Sequence, residues 1–482
     1  MCGPCYIKFM QWAGTRQDLF PPSFCERCAR FHSRVRPHSR SATDKVLRRA
    51  FGDKWKEWLQ IEEEPVGSGC IAQVYKGKLR QDKTEPSKRG ESGQLERPSG
   101  GADCWRDVAV KVVHPGCRVS VETDLMLMAA VASFLECFDF FYWMAPTKSV
   151  AEFSRHMLRQ VDMRIEAEAG ERFRSNFATP GSEGTMEEKA RLASASVGVV
   201  SSVLKGVLTG GGGGGVLPEK ENRLGRVLFP EIFLSVCTEE VLIESFEEGT
   251  PIGSWLQKNE TKEILRRRVG SLCIHAFLQM LFKDHFIHAD LHPGNILVRE
   301  RRLASSRSSS APKRSHATRV EEEGGGEGRS TLDALEEDEE TGIDLIILDC
   351  GLVTALEGSD RRNFRDVFKA VAMRDGHLAG RLIIERSPQE QCRDREAYCA
   401  EVADLVNTFM RGGLRLENVK VGSVLTRMLS LSCKHRVQLD SCFASVVIAV
   451  VILEGLARRL DPSLDLIDAA LPYLVRDSIR GR

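Results

Sequence analysis

One stretch, FIHADLHPGNILV at residues 286–298, restricts what this chain can fold into more than its bulk properties do. It places Asp290 and Asn295 in a loop that contains a Pro-Gly turn and continues into an apolar, strand-like run. Phosphoryl-transfer enzymes use an aspartate to orient the nucleophilic hydroxyl and an asparagine to hold a metal ion. An ordinary surface turn is the alternative, because Pro-Gly makes turns in many contexts. The loop therefore predicts phosphoryl transfer only if other elements support it.

Length and charge exclude several classes of protein. The 482 residues allow one large two-lobed domain or two to three smaller ones. Basic and acidic residues number 68 each, so the formal net charge is zero. This balance gives no electrostatic reason to expect nucleic acid or an anionic membrane surface as a partner, and we expect no nucleic-acid binding. The longest apolar run, at 442–453, is too short to span a bilayer and predicts a buried helix.

The cysteines indicate a reducing compartment. There are 15 of them, and neither a secretory signal nor a presequence is visible, so we expect either no targeting peptide or one lost from this copy. Cys2 and Cys5 have the spacing of a redox pair, and together with Cys25 and Cys28 they have a zinc-like spacing. A redox pair needs a preceding strand, which residue 2 lacks. We therefore expect that these four cysteines form neither a redox pair nor a zinc site.

Three segments have the composition of inserts, and the rest of the chain divides into two halves. The inserts cover residues 81–104, 179–225 and 301–342, and their low apolar content predicts solvated, largely disordered loops. The expected strands cover residues 61–66, 72–79 and 107–113, with two more inside 226–246. Helices are expected at 150–177 and 261–284 and predominate after a strand at 345–348. This order predicts an α+β fold of two lobes with a cleft between them.

The first predicted turn has the composition of a phosphate-binding loop. Residues 67–74 read GSGCIAQV, with alanine in the place of a third glycine. Backbone N–H groups of such a loop can approach phosphate oxygens without a Cβ in the way. The match is weak on its own. Its candidate nucleotide-binding residues are Gly67, Ser68, Gly69, Cys70, Ala72 and Val74.

A lysine, a glutamate and a second aspartate follow in the order of a kinase-type fold. Lys111 ends the strand-like run VAVK, which matches the lysine-bearing strand of kinases. Glu166 lies at the edge of the apolar stripe of a predicted helix and is placed to pair with Lys111. Asp349 ends a buried-looking strand, and its carboxylate and the Asn295 amide oxygen suit Mg²⁺. Taken one at a time, Lys111 and Glu166 would be interpreted as surface charges. The prediction depends on the order in which these motifs follow one another along the chain.

At these residues the chain resembles the UbiB/aarF-domain family of atypical, protein-kinase-like kinases. The similar stretches are HADLHPGN, IAQVY at 71–75, LEGLARRLDP at 453–462, and KFMQ at 8–11, which is similar to the Lys-x-Gly-Gln helix of that family. The resemblance covers nearly the whole chain apart from the inserts. It implies a protein-kinase-like fold with a helical extension at 1–60, an N-lobe at 61–248 and a helical C-lobe at 249–482.

The resemblance also implies residue roles. Lys8 and Gln11, which share one helix face, would enter the space where a protein kinase receives its peptide, which argues against ordinary protein phosphorylation. Asp290 would be the catalytic aspartate. Glu244 and Phe246 would lie near the adenine hinge. The ion pair would be Lys111 with Glu166, and the Mg²⁺ ligands would be Asn295 and Asp349.

Ligands, partners and location follow from the same resemblance. It implies ATP or ADP with Mg²⁺, and a kinase or ATPase activity in coenzyme Q lipid metabolism. The implied partners are an isoprenoid-quinone lipid or a membrane surface, and coenzyme Q biosynthesis proteins. The implied location is mitochondrial, with plastid or cytoplasm as alternatives. Two other functions stay open: a small-molecule kinase of the choline or aminoglycoside type, and a pseudokinase scaffold that binds nucleotide without turnover.

Three positions depart from the family pattern. Met10 replaces the hallmark glycine, which puts close packing of that helix in doubt. The family's Glu-x-Asp motif is present as Gln160-Val161-Asp162, so only the aspartate of the motif has an equivalent in this chain. Gly69 adds a second glycine to a loop that is usually alanine-rich, and nucleotide preference therefore cannot be copied from the family.

Overall fold

The computed structural model describes residues 4–16, 20–28, 37–80, 105–138, 145–178, 225–258, 263–302, 341–387, 390–411 and 421–464, and residue 469. Residues 81–104, 179–224 and 303–340, which make up nearly all of the three predicted inserts, lie outside this part of the chain. The predicted boundaries at 225, 301 and 342 are wrong, because these residues lie in strands. Arg301 pairs with Gly342 in an antiparallel hairpin, and Gly225 pairs with Ile343.

The strands of the described residues form three sheets. They are β1 (Leu59–Ile61), β2 (Gly67–Ser68), β3 (Ala72–Arg80), β4 (Trp105–Val113), β5 (Gly225–Leu228), β6 (Val241–Ser245), β7 (Thr250–Pro251), β8 (Phe286–His288), β9 (Ile296–Arg302), β10 (Thr341–Ile347) and β11 (Val353–Ala355). The N-terminal sheet has the order β1-β3-β4-β6, with β2 paired to β3. The C-terminal sheet has the order β5-β10-β9-β7, and β8 pairs with β11. Strand β5, which the sequence assigned to the N-lobe, thus joins the C-terminal sheet.

Helices surround the N-terminal sheet and make up most of the C-lobe. They are α1 (Pro4–Thr15), α2 (Pro22–Cys28), α3 (Arg40–Phe51), α4 (Cys117–Glu136), α5 (Pro146–Val161), α6 (Met163–Phe177), α7 (Ile252–Trp255), α8 (Glu263–Leu278), α9 (Gly358–Ala372), α10 (Gly376–Glu385), α11 (Arg395–Arg411), α12 (Val421–Lys434) and α13 (Ser441–Leu460). Among the described residues, no helix combines the length and apolar character that crossing a bilayer requires.

Apolar side chains of β4 point to both faces of the N-terminal sheet, and each face is covered by other elements. Val108, Val110 and Val112 are fully buried and pack with Trp55 and with residues of α3. The opposite face meets α1, α4 and α5 in a second apolar cluster that contains Val113. Side chains of a strand alternate between faces, so this pattern gives the lobe two cores with the sheet between them.

The helix predicted at 150–177 is in fact two helices. Asp162 is in an extended conformation, and its Oδ1 atom accepts a hydrogen bond from the Arg164 backbone N–H at 3.0 Å. An aspartate that caps a helix N-terminus in this way ends the preceding helix and starts the next. The break matters because α6 then runs from the N-lobe core, at Met163, into the C-lobe core, at Phe173. Helix α4 had no counterpart in the prediction.

The C-lobe has two apolar clusters, and a buried carboxylate connects the strands of its sheet. Helices α8 and α13 pack on the strands β8, β9 and β10, and helices α9 to α12 form the second cluster. Asp344, on β10, is 1% exposed and binds Arg226 of β5 and Arg301 of β9, each at 2.9 Å. These ion pairs compensate the buried carboxylate and connect three neighbouring strands.

Candidate active site

A lysine on the N-terminal sheet joins two acidic residues in the cleft. Lys111 Nζ lies 2.7 and 2.9 Å from the carboxylate oxygens of Glu166, and 3.1 Å from Asp349 Oδ1. Lys111 lies on β4 between Val74 and Leu242 of the neighbouring strands. Glu166 is in the first turn of α6, directly after the cap at Asp162. Three predicted site residues, separated by up to 238 positions in sequence, are thus in direct contact.

The charges of this cluster shift one another's protonation. Burial alone would lower the pKa of Lys111, but Asp349 and Glu166 outweigh burial and hold that pKa above its usual value. The Lys111 ammonium in turn holds the pKa of Asp349 well below its usual range. Burial, assisted by the Glu166 charge, raises the pKa of Glu244 to about 8. At neutral pH the cluster therefore contains an ammonium, the carboxylate of Asp349 and a protonated Glu244.

The backbone at Asp349 adopts an uncommon conformation. Its φ is +58°, in the left-handed region that aspartate tolerates better than most residues. A Cβ at Gly351 would lie 3.3 Å from both Asp349 Oδ1 and Glu166 Oε2. The Asp-x-Gly spacing noticed in the sequence therefore has a steric reason, because a side chain at Gly351 would crowd both carboxylates.

Hydrogen bonds with a buried histidine and an asparagine hold the loop that contains Asp290. His288 is fully buried; its Nε2 atom lies 3.2 Å from the Leu348 carbonyl, and its Nδ1 accepts from the Asp290 N–H. Asn295 Nδ2 donates to the Asp290 carbonyl at 3.0 Å. The Leu348 N–H donates to the Asn295 carbonyl, which ties this loop to the strand before Asp349. The sequence analysis gave His288 no role.

The glycine-rich loop is a tight hairpin. Gly67 and Ser68 pair with Val74 and Gln73, and the Gly69 N–H donates to the Ala72 carbonyl at 2.9 Å. Cys70 is buried, and burial raises the pKa of its thiol. Ser68 Oγ is also buried and has no hydrogen-bond partner among the described residues.

A network of hydrogen bonds links this hairpin to α3. His114 Nε2 donates to the Gly69 carbonyl at 2.9 Å, and its Nδ1 lies 2.6 Å from His38 Nδ1. His38 Nε2 contacts Thr43 Oγ1 at 2.9 Å, and Thr43 Oγ1 contacts Tyr75 OH at 2.7 Å. Only one directional order satisfies every histidine nitrogen: Thr43 donates to His38, His38 to His114, and His114 to Gly69. The sequence contained no spacing that predicts this network.

The other predicted site residues have distinct positions. Lys8 and Gln11, on α1, line a cavity together with Asp290, so the N-terminal helix reaches the loop that contains Asp290. The charge of Lys8 also contributes to the low pKa of Asp349. Glu244, on β6, pairs with Ala109 and lies half-buried near the Lys111 cluster. Phe246 follows β6, and its ring lies 4.5 Å from Lys76 Nζ.

The three described cysteines of the two motifs contact protein groups. Cys5 packs in the apolar cluster beside the glycine-rich hairpin. Cys25 donates to the Ala13 carbonyl, and Cys28 Sγ lies 3.7 Å from Met10 Sδ. Cys2 lies outside the described residues. Within the described part of the chain, no group of three or more His, Cys, Asp or Glu side chains is arranged to hold a metal ion.

The cleft offers suitable groups for a magnesium nucleotide. The buried Ser68 hydroxyl is a donor that a phosphate oxygen can satisfy. The Asp349 carboxylate and the Asn295 amide oxygen are the hard donors that Mg²⁺ prefers when phosphates complete its shell. Lys111 places a positive charge between them and the hairpin. These residues fit a phosphate-bearing ligand with a divalent cation.

Comparison with known families identifies the fold. The ABC1 atypical kinase-like domain matches residues 30–85, 102–181 and 219–381. The chain belongs to this family. The UbiB/aarF resemblance predicted from the sequence is thereby confirmed, and so is the two-lobed kinase-like α+β fold.

Individual relatives match nearly the whole of this chain, including the parts outside the domain. The chain is 31% identical over 98% of its length to a mitochondrial ABC1 family protein of Saccharomyces cerevisiae, and 28% identical over 98% to one of Schizosaccharomyces pombe. It is 27% identical over 99% to a probable serine/threonine-protein kinase, abkC, of Dictyostelium discoideum. These alignments cover only 63% to 66% of the relatives' own lengths. The two fungal relatives confirm the predicted mitochondrial location.

One solved structure is similar over most of both chains. It is the complex of Rv3197 with erythromycin from Mycobacterium tuberculosis, with a TM-score of 0.51 and 14% sequence identity, covering 97% of this chain and 91% of that one. At this identity the similarity concerns the fold alone. It shows that a solved structure shares the overall fold over nearly the whole of this chain.

Proposed function

We propose that this chain binds ATP with Mg²⁺ in the cleft and acts as an atypical kinase or ATPase of the UbiB type. The observation that carries the proposal is the contact of Lys111 with both Glu166 and Asp349. A lysine paired to a helix glutamate and to a metal-binding aspartate is the arrangement on which kinase catalysis depends. It also joins residues of the two lobes at the place where a nucleotide would bind.

Each residue of the cleft has a role in this proposal. The glycine-rich hairpin and Ser68 would hold the phosphates, and Lys111, oriented by Glu166, would bind the α- and β-phosphates. Asn295 and Asp349 would hold Mg²⁺, which neutralises negative charge on the phosphates when it is bound. Asp290 would orient a hydroxyl or water and accept its proton.

Nucleotide-dependent thermal stabilisation tests the binding part of the proposal. We expect ATP to raise the melting temperature of the wild type only when Mg²⁺ is present. Asp349→Asn removes a charged metal ligand and should abolish this increase. Asp53→Asn, which changes an exposed aspartate near α3, is the matched control and should keep it. Equal stabilisation of wild type and Asp349→Asn would contradict the proposal.

A role in coenzyme Q lipid metabolism, with an isoprenoid-quinone lipid or biosynthesis proteins as partners, is the finer part of the same proposal. Membership of the family and the mitochondrial relatives support it. Measuring MgATP turnover with and without an isoprenoid phenol tests it, because a lipid substrate or effector should raise the rate in wild type and not in Asp349→Asn. An unchanged wild-type rate would count against the lipid.

A scaffold without turnover is the second candidate function, and the position of α1 favours it. Lys8 and Gln11 line the same cavity as Asp290, so the N-terminal helix occupies space that a peptide substrate would need. Asp290→Asn removes the proton acceptor while preserving the shape of the loop. Rescue of a deletion phenotype by this variant would support the scaffold, and loss of rescue would support catalysis.

A further inference from the structure

A cavity of about 170 Å³ lies beside the catalytic loop. Its walls come from α1, from α5, from the segment around Asp290 and from α13. The occupant of such a cavity would be within reach of the residue that orients the nucleophile. The cavity is distinct from the Lys111 cluster and the glycine-rich hairpin, which account for the nucleotide but leave the phosphoryl acceptor undefined.

One polar atom in the wall of this cavity is unsatisfied. Gln160, near the end of α5, has a buried Oε1 atom with no hydrogen-bond partner among the described residues. A buried amide oxygen without a donor is unfavourable, and native structures usually satisfy it with protein, water or ligand. An occupant with an O–H or N–H group would supply that donor.

Apolar side chains provide most of the surface of the cavity. Trp12 and Phe153 pack at 5.7 Å between ring centroids, and Phe9 meets Phe153 edge-on at 5.2 Å. Ile448 and Ile452, on α13, face the cavity from the C-lobe. These aromatic rings pack against one another, and apolar pockets of this kind bind the hydrocarbon part of a ligand.

Two of the charged groups that line the cavity form an ion pair with each other. Arg16 Nη1 binds Glu152 Oε1 at 3.2 Å, and the two side chains are 3% and 13% exposed. Burial lowers the pKa of His156, and Arg155, Arg159 and Arg16 lower it further, so this histidine is neutral at pH 7. The charge of Lys8 acts on Asp349, on the nucleotide side. The wall thus contains two cations, Lys8 and Arg16, and two anions, Glu152 and Asp290, which leaves no net charge for the acceptor to balance.

We propose that this cavity binds the phosphoryl acceptor, and that the acceptor is an uncharged alcohol with a hydrocarbon body and a second polar hydrogen that bonds to Gln160 Oε1. The proposal rests on the kinase function proposed above. The acceptor oxygen forms a bond to the terminal phosphorus of ATP, and the bond from that phosphorus to the bridging oxygen breaks. ADP leaves with that electron pair, and the hydroxyl proton goes to Asp290.

The test compares 1,2-hexanediol with 1-hexanol, which lacks the second hydroxyl. Wild type with MgATP should convert 1,2-hexanediol to its monophosphate, detected by mass spectrometry. Gln160→Leu keeps the side-chain volume but removes the acceptor oxygen. It should raise KM and the calorimetric Kd for 1,2-hexanediol by about tenfold, the usual effect of one hydrogen bond. The Kd of 1-hexanol and of MgATP should not change. Equal effects on both alcohols would overturn the proposal.

A second variant and two other substrates separate the remaining outcomes. Ile448→Trp fills the cavity from α13 and should abolish 1,2-hexanediol binding while MgATP still binds and the melting temperature is retained. Preferred phosphorylation of choline or of a serine peptide would overturn the proposal that the acceptor is uncharged.

Because hexanediol binding is measured without nucleotide, failure of MgATP binding alone refutes the kinase function. Failure of hexanediol binding with Asp290-dependent MgATP turnover refutes the acceptor assignment alone.

Discussion

At the scale of single residues, the cleft depends on side chains whose charges are set by their neighbours. Lys111, whose side chain is largely withdrawn from water, would be an unfavourable cation without Asp349 and Glu166 at 3.1 Å or less. Glu244 adds a third acid to the same cluster, and it is the acid whose pKa is raised most clearly toward neutrality. The sequence placed Glu244 near an adenine hinge, but it could not show that this acid shares the surroundings of Lys111.

Glu244 should make folding stability depend on pH. Its pKa rises from 4.5 to about 8, so between these values the folded protein holds a proton that the unfolded chain releases. Stability therefore falls as pH rises through this window. We expect a loss on the order of 1–3 kcal/mol between pH 5 and 8, and Glu244→Gln should remove that part of the slope. Urea unfolding at several pH values measures it, and an unchanged slope in the variant would refute the assignment.

At the scale of elements, the glycine-rich hairpin is attached to α3 through two histidines. The chain of donors from Thr43 through His38 and His114 to the Gly69 carbonyl leaves no histidine nitrogen unsatisfied. Burial, with the neighbouring His114, lowers the pKa of His38 to about 4, so His38 is neutral under ordinary conditions. The hairpin is thus held at its tip by a segment outside the sheet.

Removing His114 should loosen the hairpin without unfolding the lobe. His114→Phe loses the bond to the Gly69 carbonyl, and one hydrogen bond contributes about 1 kcal/mol. We expect faster amide hydrogen exchange across residues 69–74 and roughly fivefold weaker MgATP binding. His377→Phe, at an exposed position on α10, is the control and should change neither. Unchanged exchange in His114→Phe would show that the hairpin does not depend on this contact.

The elements also show why sequence patterns reach only part of the structure. The 3.6-residue apolar stripe from 150 to 177 continues across Asp162, so periodicity alone predicted one helix. The capping contact between Asp162 and Arg164 decides the break, and it is visible in the sequence only as an Asp followed by ordinary helix formers. Lys111, Asp290 and Asn295 were recognisable because their local spacing is fixed by chemistry. His38 and His114, 76 positions apart, were not recognisable.

At the scale of the whole molecule, two lobes with separate cores meet at a few charged and apolar contacts. Helix α6 contributes to both cores, and the ion pair of Lys111 with Asp349 bridges the lobes. The order of motifs predicted this arrangement, because the kinase-type order of elements requires two lobes. The size of the cavities could not be predicted, since it depends on how side chains from distant helices fill the space between them.

Packing differs between the lobes, and two matched substitutions should show it. The C-lobe contains an apolar cavity of about 200 Å³ that is lined by Val402 and by side chains of neighbouring helices, whereas Val110 is fully buried in the N-lobe core. Val402→Leu adds a methylene group where space exists and should stabilise the fold by about 0.8 kcal/mol. Val110→Leu adds the same group to filled space and should cost about 1–3 kcal/mol. Urea unfolding compares the two, and an equal loss in both variants would mean that the cavity closes in solution.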